Sequence, residues 1–149
     1  MELLYLVFFV GAILIGVSLE NKDYITRIDN LLYEKITNPI VGEGDRLIDS
    51  LIVFNNDFNQ TIQVYKYNRT NQDVVDMLIR TNGPRCIQVY PNDTLLQIVY
   101  EWGYKELGEL YYFLNQAKEH WRDFRYYLVN DLHYNIEPLP PFNINSTSF

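Results

Sequence analysis

Hydrophobic positions along this chain fall into stripes of helical period, separated by short polar or Pro/Gly-containing stretches. Ile25, Ile28, Leu32 and Ile36 recur at intervals of three and four within residues 23–36, which places them on one face of a helix. Asn38-Pro39 ends that pattern, because proline brings no N–H to the helical ladder and constrains the residue before it. Gly42 and Gly44 loosen the connection, and Asp45 is expected to cap the next helix. In this second helix Leu47, Leu51, Phe54, Phe58, Thr61 or Ile62, and Tyr65 alternate by four and three. That spacing is the seam of a helix packed along its whole length, with Asn55, Asn56 and Asp57 expected off the stripe.

A shorter helix is expected from about Asn71 to Ile79, with Val74, Val75 and Leu78 inward. Thr81-Asn82-Gly83-Pro84 reads as its end, glycine taking the left-handed position and proline forbidding continuation. After Pro91, Thr94 and Gln97 have the spacing of a capping box. Leu107, Leu110, Leu114, Ala117, Trp121, Phe124 and Leu128 then form the strongest seam in the chain. One long C-terminal helix over 94–132 is expected, with Gly103 and Gly108 as places where it bends or splits.

The fold class is therefore an all-α bundle of about four helices. An α+β alternative comes from an internal echo, Ile62-Gln-Val-Tyr65 and Ile87-Gln-Val-Tyr90. Both copies hold strand-compatible residues and could pair as two short strands near 62–65 and 87–90.

The N-terminus follows a different rule. No charged residue stands between Leu3 and Leu19. The fifteen residues Leu3–Val17 match the roughly 7–15 of a signal-peptide core better than the about 20 of a membrane span. Gly16 and Ser18 suit cleavage after Ser18, although Glu2 stands where a basic residue is usual. The expected organisation is a signal peptide over 1–18, a single helical domain over 19–134, and a Pro-rich, polar, disordered tail over 135–149. The alternative keeps residues 3–19 as a single-pass anchor, without the flanking Lys/Arg cluster that would orient it.

The N-glycosylation pattern Asn-x-Ser/Thr occurs at Asn59, Asn68, Asn92 and Asn145. Fifteen Asn and eleven Ser plus Thr would produce about one such match by chance, so four favour the secretory route. Cys86 is the only cysteine, which excludes an intramolecular disulfide and leaves a buried thiol or an intermolecular bridge. The net charge is −7, with twelve Lys/Arg scattered singly. Nucleic acid is not an expected partner, since phosphate backbones require a concentrated positive surface.

No cofactor, metal or catalytic constellation is expected. His120 and His133 stand thirteen apart, too far for two imidazoles on one helical turn to share a metal. Glu101, Glu106 and Glu109 read as a solvated helix face. Arg85 beside Cys86 is the only hint of an activated thiol. Thirteen Tyr suit either half-buried helix faces or an amphipathic contact surface.

By elimination, the expected function is that of a secreted, N-glycosylated, non-enzymatic binding protein with a protein or cell-surface partner. Arg122, Arg125 and Tyr126, on a stretch without sequons, are the candidate contact residues. The alternatives are a carrier whose helices enclose a small hydrophobic ligand, and a membrane-anchored extracellular domain. Oligomeric state is not readable from the pattern.

Overall fold

The structure, a computed structural model, describes residues 24–137. The signal segment expected over 1–18, the anchor alternative over 3–19, residues 138–149 of the expected tail and the sequon at Asn145 lie outside them. Among the described residues every regular element is helical: α1 (24–37), α2 (Gly44–Asn68), α3 (Gln72–Thr81), a 3₁₀ turn (Arg85–Ile87), α4 (Asp93–Tyr100) and α5 (Tyr104–Asn130). The echo that suggested strands does not form them. Residues 62–65 continue α2, and the second copy starts within the 3₁₀ turn. Local strand propensity gives way because Ile62 and Tyr65 are held in the buried seam of a long helix.

Both predicted seams are buried throughout: Leu47 to Tyr65 on α2, and Leu107 to Leu128 on α5. The two helices run side by side in the same direction. Asn55 of α2 reaches Phe113 of α5, Tyr65 meets Phe124, and Lys66 lies over Tyr127. A parallel pair needs a crossover connection, and α3, the 3₁₀ turn and α4 supply it. The α1 stripe packs into the same core. Thr26 of α1 meets Met77 of α3, and Lys35 pairs with Glu43 at 3.5 Å beside the turn into α2.

Three expectations about element ends are corrected. The helix expected over 94–132 is two helices, split at Gly103, one of the two expected places, because Glu101 takes the left-handed conformation (φ 56°) and Trp102 turns into the core. Trp102 packs its ring on Tyr100 (5.0 Å), whose hydroxyl donates to the Lys35 carbonyl at 2.6 Å. Gly103 then starts α5, its N–H donating to the Glu106 carboxylate at 3.0 Å. Gly108, inside α5, breaks nothing.

The cap of α4 is Asn92, not Thr94, its Oδ1 accepting from the Leu95 N–H at 3.1 Å. The residue before α2 is Glu43, with Asp45 inside the first turn, where its charge suits the helix dipole.

Asn55 also departs from expectation. It lies on the buried face, and its Nδ2 donates both to Leu51 within α2 and to the Phe113 carbonyl of α5, at 3.1 and 2.9 Å. The domain extends past the expected boundary at 134. Ile136 is buried, Arg125 donates to the carbonyls of Ile136 and Glu137, and Asn82 donates to Glu137.

Two glycines test these placements from opposite sides. Gly83 has φ +106°, and a Cβ there would stand 2.8 Å from Trp121 Nε1. Gly83→Ala is therefore expected to cost about 2–4 kcal/mol. A Cβ on Gly108 meets no heavy atom within 4 Å. Gly108→Ala is expected to stabilise the fold by about 1 kcal/mol through helix propensity alone. Urea denaturation of both variants measures the two signs.

Candidate functional site

Where the first turns of α2 and α5 lie beside each other, their outward faces leave an open groove of about 540 Å³. Ile48, Asp49 and Ile52 form the α2 wall, and Lys105, Glu109, Tyr112 and Phe113 form the α5 wall. Gly108 lines the groove without a side chain to fill it. Tyr112 is 60 % exposed and stands edge-on to Phe113, with ring centres 5.1 Å apart. Ile48, itself a buried core residue, and the half-buried Ile52 carry the apolar surface of α2 from the core to the edge of the groove. The site thus combines apolar walls, an exposed aromatic ring and three charged groups, and its size falls within the about 300–1,000 Å³ of ligand sites.

Sequence reasoning missed this groove. Ile48 and Ile52 lie outside the strict seam, and Gly108 read as a possible bend. The three clustered carboxylates do separate roles: Glu101 ends α4, Glu106 holds the start of α5, and Glu109 faces the groove.

The candidate contact residues share one side of α5, but not one role. Arg122 and Tyr126 are exposed. Arg125 is half-buried and occupied in holding the Ile136 and Glu137 carbonyls at 2.9 and 3.1 Å. Replacing all three residues would therefore also release the C-terminal segment.

The described sequon asparagines Asn59, Asn68 and Asn92 are all exposed. Asn68 Oδ1 accepts from Thr70 N–H at 3.2 Å, and Asn92 Oδ1 caps α4. A glycan attaches through Nδ2, so both bonds can persist beneath one. Thr61, the hydroxyl residue of the first sequon, is buried and donates to the Asp57 carbonyl at 2.8 Å.

Cys86 is fully buried beside Asp29. Asp29 is itself buried and accepts the Arg85 and Cys86 N–H groups at 2.8 and 2.9 Å, joining α1 to the 3₁₀ turn. Burial pushes the Cys86 thiol up, and the Asp29 carboxylate adds to it. Arg85 does not activate the thiol. Its guanidinium stacks over the Tyr33 ring at 4.0 Å and donates to Asn30. This placement favours the inert thiol over the intermolecular bridge, since Cys86 presents no surface to a second folded chain.

Tyrosines divide between locks and surface. Tyr65 donates to Gln72, which also bonds Tyr134, and burial with the neighbouring Tyr134 pushes the Tyr65 hydroxyl up to about 12. Tyr111 donates to Asp93 and ties α5 to the first turn of α4. Tyr67, Tyr90, Tyr104, Tyr112 and Tyr126 are exposed.

Among the described residues no group of three or more His, Cys, Asp or Glu is placed to hold a metal ion. No described helix is long and apolar enough to cross a membrane. No known protein family, curated protein or solved structure matches the chain.

Two titrating groups make opposite contributions to stability. Burial holds His120 below its ordinary 6.5, partly offset by Asp123 and Glu119. Its contribution is therefore complete above 6.5 and is lost as pH falls through the lowered folded value. Burial raises Asp29 above 3.8 despite its backbone bonds, so its contribution is complete below 3.8 and declines as pH rises through the folded value. His120→Gln is expected to lessen the loss of stability on acidification below pH 6.5, read from urea midpoints at a series of pH values. Asp29→Ala, which strands two N–H groups, is expected to cost roughly 2–4 kcal/mol at neutral pH.

Proposed function

We propose that this protein enters the secretory route, carries N-linked glycans, and acts without catalysis by binding a protein or cell-surface partner. The observation that carries the reading is that Asn59, Asn68 and Asn92 all stand exposed on the helical domain. The charge-free run from Leu3 to Leu19 supplies the entry signal, removed after Ser18. Exposed Tyr112 and Tyr126 provide amphipathic contact area of the kind enriched at interfaces. Nucleic acid is a poor partner for a chain of net charge −7.

The carrier reading has one supporting feature, the groove between α2 and α5, but that groove is open rather than enclosed. The interior is filled instead by the large side chains of Trp121, Tyr65, Phe54, Phe58 and Phe124. A membrane-anchored form differs only in retaining residues 3–19.

Expression in a secreting cell tests the route. The expected product appears in the medium with an N-terminus at Leu19 and loses mass on treatment with an N-glycosidase. Retention in membranes with Met1 intact would establish the anchored form, and an unchanged mass would remove the glycan. The buried Thr61 hydroxyl adds a distinction in timing. Thr70, the hydroxyl residue of the Asn68 sequon, has a buried Oγ1 as well, whereas Thr94 is exposed. Folded, unglycosylated protein offered to the transferase should therefore accept a glycan at Asn92 but not at Asn59 or Asn68, which are modified only before the helices pack. Site-resolved mass spectrometry reads the difference.

A further inference from the structure

The groove between α2 and α5 has a chemistry more specific than an apolar depression. Its apolar surface is aliphatic and aromatic, from Ile48, Ile52 and Phe113, and two carboxylates, Asp49 and Glu109, stand on opposite walls. Among the described residues no hydrogen bond or ion pair holds either carboxylate. Lys105 shares the α5 wall four residues before Glu109 but forms no ion pair with it. The groove therefore carries two negative groups, one on each wall, and one positive group around an apolar surface, with the exposed Tyr112 ring alongside.

An apolar stem ending in a cation complements that arrangement. Long basic side chains lay their methylenes on apolar surface while the charged head seeks polar partners. A guanidinium meets carboxylates in fork geometry and also sits over an aromatic face, whereas an ammonium lacks the planar match. Gly108 gives the backbone of an incoming segment room to approach, since even a Cβ there would touch nothing within 4 Å. We infer that this groove is the docking site for an arginine-bearing segment of a protein partner. The arginine stem lies on Ile52 and Phe113, and its head lies between Asp49 and Glu109. The inference rests on the binding-protein reading and supplies the partner chemistry that reading lacks.

The test uses the full mature chain, isotope-labelled, and three capped pentapeptides Ala-Leu-X-Leu-Ala with X arginine, norleucine or glutamate. Amide shifts at Ile48, Ile52, Gly108 and Tyr112 locate binding, and their titration measures affinity. The arginine peptide is expected to shift these amides and to bind about ten-fold tighter than the norleucine peptide, the scale of one charge-assisted contact. Asp49→Asn with Glu109→Gln should erase that preference while leaving norleucine binding unchanged. Gly108→Trp should block both peptides, with the thermal unfolding midpoint showing that the fold is kept. If Gly108→Trp does not fold, the carboxylate variant alone decides.

Equal or tighter binding of the norleucine peptide would overturn the proposal in favour of a small apolar ligand. Loss of the groove signals through self-association, seen as a dimer by sedimentation, would assign the groove to a second copy. Shifts at Arg122 and Tyr126 in place of Gly108 would overturn the groove while leaving the binding-protein reading intact. Silence from all three peptides would also overturn it. Secretion and glycan transfer are measured separately, so failure of the route and failure of the groove give different results.

Discussion

The contact between the apolar seams of α2 and α5 is the constraint on which the rest of this molecule depends. Each seam alternates by three and four over most of a long helix, and every seam position is buried. Neither helix can hide such a stripe alone, so pairing along their length is the outcome that removes most apolar surface from water. Because the two run in the same direction, the chain must return from the end of α2 to the start of α5. The crossover made by α3, the 3₁₀ turn and α4 follows from that geometry, and α1 packs into the same core.

Apolar pairing alone would tolerate sliding, and a few buried polar groups restrict it. Asn55 donates across the pair to the Phe113 carbonyl, a bond that a shift of one helical turn would break. Asp29 anchors α1 to the 3₁₀ turn through two backbone N–H groups, and the Tyr100 hydroxyl ties the end of α4 to α1. Arg125 closes the other end of α5 onto residues 136 and 137. A buried polar group left without its partner incurs the full cost of desolvation, so each of these bonds selects one arrangement among several of similar apolar burial.

The groove is a by-product of the same pairing. Facing seams bury one side of each helix, and residues just outside the seam line a cleft wherever the flanking side chains are too small to meet. Gly108 makes such a place on α5, and Ile48 and Ile52 supply apolar surface opposite. Gly83 shows the contrary use of the same residue, where the absence of a side chain lets Trp121 pack against the backbone. The chemistry at the groove belongs to Asp49, Glu109, Lys105 and Tyr112, residues whose positions along the chain carry no motif.

Period and punctuation by themselves determined the helical class, the seams of α1, α2 and α5, the inward face of α3 and its end at Asn82-Gly83-Pro84. Those features are legible because apolar spacing and backbone stereochemistry act over one or two turns. Tertiary structure decided what depends on distant neighbours. Trp102 leaves the helical path to pack on Tyr100, which splits the expected long helix, and Tyr65 stays helical because its seam is buried. Asn55 turns inward for a carbonyl far along the chain, Arg125 clamps the carbonyls of Ile136 and Glu137, and the groove exists only once α2 and α5 are placed side by side. The physical reason is the same in each case: the partner that settles the residue's role is absent from its own stretch of sequence.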